Sequence, residues 1–223
     1  MNRRVWIGAL VCALVAGSLH GGVILSNLPG NDGGYSQWNS LSAVGGVASA
    51  KKAFGFTVGA SNVDVTSATL RLNLVELTGL NSFSLELFNN SGSDPGASLA
   101  AFTNPSLSGS GIADWVFTMA SPFQLSAGAT YWLVFGANVT APPGDIRWMS
   151  SDPNLTPTGP LATHVAGRLM DTGSSTWVPA TRLNSFLLSG DAVSQGVPEP
   201  GTLATVAAGL AVVALRFRRR SAP

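Results

Sequence analysis

This chain is poor in the side chains from which most active sites are built. It has one cysteine, Cys12, two histidines, and only 10% charged residues. Cys12 lies in an apolar N-terminal run, so the rest of the chain can form no disulfide and must be held by a hydrophobic core. With His164 as the one histidine beyond residue 20, neither a histidine metal cluster nor a histidine dyad can be assembled, and an alternating context makes it a strand residue. Between Leu19 and Val197, ten acidic residues oppose six basic ones, a net charge of −4. That segment has no basic stripe and so no electrostatic footprint for nucleic acid. No Gly-x-Ser-x-Gly elbow, phosphate loop, cysteine pair or calcium loop occurs. No cofactor and no metal site are expected, and Asp145, Asp152 and Asp171 read as loop aspartates.

The two ends carry what the middle lacks. Arg3 and Arg4 precede the apolar run Val5 to Ala16, and Ala16-Gly17-Ser18 supplies small residues for cleavage. Residues 1–18 therefore read as a secretory signal peptide removed by signal peptidase, with a cut as late as Gly21 or Gly22 also open. At the other end, Val197-Pro198-Glu199-Pro200 is followed by an apolar run from Thr202 to Leu215 and then by Arg216, Arg218, Arg219 and Arg220. A helix from Gly201 to Phe217 would span roughly 25 Å of a hydrocarbon core about 30 Å thick, and arginine stems can make up the difference. The arginines would stay cytoplasmic, leaving the prolines outside, where they hold the chain extended.

In that order, a Pro-Glu-Pro element, a short membrane helix and a basic cluster resemble the PEP-CTERM sorting tag of Gram-negative bacteria. The resemblance implies recognition of residues 197–220 by an exosortase in the inner membrane, transient residence there, and placement at the cell surface or in the extracellular matrix.

Between the ends lie roughly 170 residues, enough for one core. Short β-prone runs are bounded by Gly, Asn, Asp, Ser and Pro, with no sustained helical period. Leu70, Leu72 and Leu74 alternate with polar neighbours, as do Phe83, Leu85 and Leu87. Further strands are expected over Ala53–Val58, Trp115–Met119, Thr130–Ala137, Ile146–Met149, His164–Leu169 and Leu183–Ser189. Asn89–Gly96 reads as a surface loop. The expectation is all-β: an antiparallel, jelly-roll-like β-sandwich over 23–190, with 191–196 as linker. Val23–Asn27, Ser67–Leu72, Leu85–Phe88, Asp94–Gly96, Tyr131–Val134, Ile146–Trp148 and Ser174–Trp177 together resemble the choice-anchor domains, most nearly type R. That resemblance implies a secreted β-sandwich with no assigned chemistry.

Two functional readings of the middle compete with a purely structural or adhesive one. Tyr35, Trp38, Trp148 and Trp177 sit among Gly, Ser and Asn, and exposed rings there would stack on the sugars of an extracellular polysaccharide. The same rings would also serve a core, where Ile146 and Trp148 at strand spacing would both point. Asp171-Thr172-Gly173 is similar to the active-site loop of aspartic proteases, but that chemistry needs two carboxylates sharing one proton and only one such motif occurs. The domain is accordingly expected to be non-catalytic.

Overall fold

The computed structural model describes residues 22–39, 48–78, 80–139, 145–170 and 176–193. Among these there is no helix. Twelve strands occur: β1 Gly22–Ser26, β2 Gly34–Asn39, β3 Ala48–Val58, β4 Val63–Glu76, β5 Leu80–Ser91, β6 Asp94–Ala101, β7 Gly111–Leu125, β8 Thr130–Val139, β9 Asp145–Ser150, β10 Ala162–Met170, β11 Trp177–Pro179 and β12 Phe186–Ala192. They form two antiparallel sheets, one ordered β1-β12-β4-β9-β2 with β7 also on β4, the other β11-β10-β3-β8-β5-β6. The signal segment, the apolar tail and Asp171 lie outside the described residues.

The longest alternating run organises the first sheet. Val63 and Val65 point inward, a register shift follows between Val65 and Ser67, and then Ala68, Leu70, Leu72 and Leu74 are all buried. The extra residue of this bulge switches the inward phase from odd to even positions. One edge of β4 pairs with β7 along most of its length. Its other edge is shared end to end, by β12 opposite Val63–Leu70 and by β9 opposite Leu72–Glu76.

Facing rings join the two sheets. Phe54 of β3 lies 5.2 Å from both Trp148 of β9 and Phe186 of β12, and Phe135 of β8 lies 5.6 Å from Trp148 and 6.3 Å from Phe117 of β7. These edge-on and tilted contacts bury large apolar areas between the sheets, the term that must hold a domain without disulfides.

The break between β12 and β9 leaves backbone groups that side chains satisfy. The Arg71 N–H donates to the Ser185 carbonyl at 3.2 Å and the Ser185 N–H to the Met149 carbonyl at 2.8 Å. The Asn27 amide donates to the carbonyls of Leu155 and Asn184, both at 3.1 Å, and its oxygen accepts the Phe186 N–H at 2.8 Å. Buried asparagines here substitute for a missing ladder.

Several boundaries differ from the sequence reading. Asn89–Gly96 is a hairpin: Asn89–Ser91 end β5, Gly92 turns at φ 67°, and Asp94-Pro95-Gly96 open β6. Pro95 is tolerated because β6 is an edge strand with one free side. Asp145 begins β9 and is buried, and β12 runs to Ala192, into the segment expected as linker, because Asp191 and Ala192 pair with Asp64 and Val63. Leu183–Ser185, expected as strand, form the polar junction instead.

The two flanking segments leave side by side. Gly22 pairs with Gly190, and its N–H reaches the Asp191 carboxylate at 3.3 Å, while the Val193 N–H donates to the Asn62 carbonyl at 2.8 Å. The antiparallel registers place the last residues of β2, β4, β8 and β10 and the first residues of β3, β5, β9 and β11 at the opposite end.

Candidate functional site

The four aromatics proposed for sugar stacking do not converge. Trp148 is 0% exposed, donates its indole N–H to the Ser185 carbonyl at 2.8 Å, and is wedged between Phe54 and Phe135. It offers no face to a sugar, because it shares the inward phase of Ile146 on β9, and it is withdrawn from the candidate set. Tyr35 is 42% exposed on the other face of the β2–β9 pair, with the Arg147 guanidinium 4.7 Å from its ring centre. Arg147 is held there by Asp145 at 2.7 Å. Asp145 is thereby an ion-pair partner and not a solvated loop aspartate. Trp38 pairs with Ile146 in the β2–β9 ladder, and its side chain lies outside the described residues.

Trp177 belongs to the second sheet. It packs, partly buried, on a small apolar cluster of Ala53, Trp132 and Val134 that also takes in Phe88 and Ala166. This is the outward face of that sheet, since Phe54, Leu133 and Phe135 occupy the alternate, inward positions. Gly55, opposite Trp132, makes room for its ring: a β-carbon there would lie 2.9 Å from the indole. The Trp132 indole N–H donates to the Asn90 side-chain oxygen at 2.9 Å, and Arg168, bonded to Asp94 at 2.6 Å, stands 5.8 Å from the ring.

Beside this cluster runs an open groove of about 220 Å³. Gly136 and Asn138 of β8 lie along its middle, with Lys51 of β3 on one side and Ser82 and Ser84 of β5 on the other. The Asn138 side-chain oxygen is buried without a partner. Trp177, Met170, Lys51, Gly136 and Ser84 occupy one cross-strand row, so the groove and the tryptophan share one face. No sequence motif marks this groove; it exists because a glycine falls between longer neighbours on adjacent strands.

A second feature escaped the sequence reading. Lys52 is 3% exposed and faces inward, in the phase of Phe54 and Phe56. Its ammonium donates to the Ser36 hydroxyl at 2.8 Å, which donates in turn to the Asn184 side-chain oxygen at 3.0 Å. Burial, with the repulsion of Arg182 added, lowers its pKa from 10.5 to about 8. The strand expected from Ala53 begins at Ala48, which takes Lys52 into the ladder in the inward phase of Phe54.

His164 is half-buried in β10, burial lowers its pKa against the opposing pull of a hydrogen bond with the Ala166 backbone, and its Nε2 has no partner. It borders an open depression of about 320 Å³ lined otherwise by Thr, Pro, Gly and Ala. No group of three His, Cys, Asp or Glu residues placed to hold a metal ion occurs among the described residues. Nor does a helix long and apolar enough to cross a membrane.

The sorting elements, Val197, Pro198, Glu199, Pro200, Arg216, Arg218, Arg219 and Arg220, lie beyond Val193 and outside the described residues. No curated protein and no solved structure matches the chain. Residues 196–220 match the family of the PEP-CTERM protein-sorting motif, which marks an exported protein processed by exosortase and bound for the surface or the extracellular space.

Proposed function

We propose that this chain is a non-catalytic, structural or adhesive surface protein, a β-sandwich delivered by its tail. The carrying observation is the sorting motif at 196–220 joined directly to an all-β domain whose flanking segments leave from one end. In this reading signal peptidase removes residues 1–18, exosortase removes the membrane helix with Arg216, Arg218, Arg219 and Arg220, and the domain stands on the surface or in the matrix. The likeness to choice-anchor domains supports the same destination. Asp171 is not catalytic in this reading, for no second motif of its kind exists to complete a protease. Intact-mass analysis of surface-localised protein tests the reading, which expects both arginine-bearing ends to be gone and Glu199→Ala to leave a membrane-bound precursor. A full-length mass on most surface molecules would overturn it.

A second reading has one specific observation behind it: the groove over Gly136 shares a face with Trp177. A polysaccharide lying across the strands would meet the Lys51, Ser82, Ser84 and Asn138 polar groups and the tryptophan in succession. A glycan array separates the readings, since binding lost in both Trp177→Ala and Gly136→Leu with the fold intact favours the groove, and no binding favours the structural role.

A further inference from the structure

The fold ends very close to the sorting tag. The Val193 N–H donates to the Asn62 carbonyl at 2.8 Å, and Ala192 pairs with Val63 in the ladder just before it. Only Ser194, Gln195 and Gly196 then separate the sandwich from Val197. Four residue steps span at most about 14 Å even when fully extended, so the motif begins no farther than that from Val193. A single α-helix with its side chains is about 10–12 Å across, so one layer of protein around Pro198-Glu199-Pro200 takes up nearly the whole tether.

Two connections stand beside this exit. Asn62 ties them to it, because its carbonyl holds Val193 while its side-chain oxygen accepts the Ala127 N–H at 2.9 Å. The Gly128 N–H bonds in turn to the carbonyls of Val58 and Gly59, at 3.1 and 3.0 Å, so 59–62 and 126–129 form one continuous rim. Gly59, Ala60, Ser61, Ser126, Ala127 and Gly128 are exposed. Gly128 turns at φ 71°, and a β-carbon there would meet nothing within 4 Å. No side chain of the rim is larger than asparagine and none is charged. The charges beside it in the ladders are acidic, Asp64 and Asp191, which lie opposite each other on β4 and β12. The undescribed residues 40–47, 79, 140–144 and 171–175 follow strand ends at the opposite end of the sandwich, whereas the rim adjoins the two flanks.

We propose that the rim 59–62 and 126–129 is the surface against which the exosortase seats while it processes this chain. The inference rests on the reading of residues 196–220 as an exosortase substrate. The short tether brings the enzyme onto the rim whenever its site closes on Glu199, and the small side chains leave room for that approach. The reach cannot be lengthened without opening β12, because each further residue of slack, about 3.3 Å, undoes a pair with β4. The partner is the enzyme and not the bilayer: a rim with acidic neighbours and no lysine or arginine has nothing to attract anionic headgroups.

The full chain, expressed together with its exosortase, is followed by pulse-chase, with loss of the arginine-bearing tail read by mass. Ala60→Trp and Ala127→Trp, one on each connection, should each slow that step at least about tenfold, as misplacing a reacting group does. Thr78→Trp, at an exposed position of the opposite end, should leave it unchanged. An eight-residue Gly-Ser insertion after Gln195 adds up to about 28 Å of reach and should restore both slow variants, which separates a blocked approach from a damaged fold. Deleting Ser194 and Gln195 from the otherwise native chain should slow processing as the tryptophans do. Tryptophan variants processed at the native rate, or slow ones that the insertion does not restore, overturn the proposal. Faster processing of those variants also overturns it, since tryptophans that settle among headgroups mark a face turned to lipid. Glu199→Ala separates this failure from that of the underlying reading. If that variant loses its tail as fast as the native chain, the exosortase assignment itself falls; if it keeps its tail while both tryptophan variants are processed normally, only the seating surface does.

Discussion

The guanidinium of Arg71 grips the carboxylate of Asp32 by two parallel hydrogen bonds, Nε to Oδ1 and Nη2 to Oδ2, each 2.7 Å. A third bond runs from Nη1 to Asp114. One side chain on the central strand β4 thus fastens both the β1–β2 connection and the edge strand β7. Asp32 adopts φ 57°, a left-handed conformation that aspartate tolerates better than most residues.

Because the contact is a planar fork, charge alone should not replace it. Arg71→Lys is expected to cost about 1 kcal/mol in urea denaturation, since an ammonium cannot make both bonds at once. Asp32→Asn should cost a similar amount while keeping the backbone tolerance. The double variant should cost less than the sum of the two, as partners in one network do.

Lys52 makes stability depend on pH in an unusual direction. Its folded pKa of about 8 lies below its ordinary value of 10.5, so below pH 8 the ammonium is charged in both states and its burial is fully unfavourable. Between those values the folded state releases its proton first, the unfolded state binds more protons, and stability rises with pH. Denaturation midpoints should increase from pH 8 towards pH 10 by on the order of 2 kcal/mol in unfolding free energy. Lys52→Met should flatten that rise and stabilise the domain at pH 7.

The tryptophans should separate by burial. Trp148→Ala is expected to cost roughly 3–5 kcal/mol, because it empties the space between Phe54 and Phe135 and removes one of the hydrogen bonds to the Ser185 carbonyl. Trp177→Ala, at the margin of the outer cluster, should cost about 1 kcal/mol, since it frees only part of a side chain's area. Thermal melts of the two variants decide it.

Gly55→Ala should displace the Trp132 ring, whose atoms leave 2.9 Å where a methyl would go. The expected loss is about 1–3 kcal/mol, the usual cost of overpacking. Red-shifted tryptophan emission, from an indole pushed off its Asn90 partner towards water, would be the spectroscopic sign.

Much of the architecture was legible because alternation reports burial directly. Leu70, Leu72 and Leu74 declared an inward face, and Ile146 with Trp148 another. Strand ends were less legible. Turn-forming composition over Asn89–Gly96 concealed that a proline can sit in a ladder when its strand is an edge, and edges are a property of sheet order, which no local pattern contains. The pairing of β4 with β12 joins residues more than a hundred positions apart, as does the asparagine junction beside it, and the pairing of β4 with β9 joins residues about seventy apart. The outer cluster around Trp132 and the groove over Gly136 arise from rows assembled across separate strands, so their members are scattered along the chain.

The side-by-side departure of Gly22 and Val193 has a mechanical consequence. A pull on the segment after Val193 enters the fold through β12, which is clasped on both sides, by β1 and by β4. Its ladder bonds lie across the strand, at right angles to that pull. With the far end of the sandwich gripped by a neighbour, the load would act on these bonds together, in shear, and not one after another as in peeling. The strand beside the tail is one that two neighbours hold against tension.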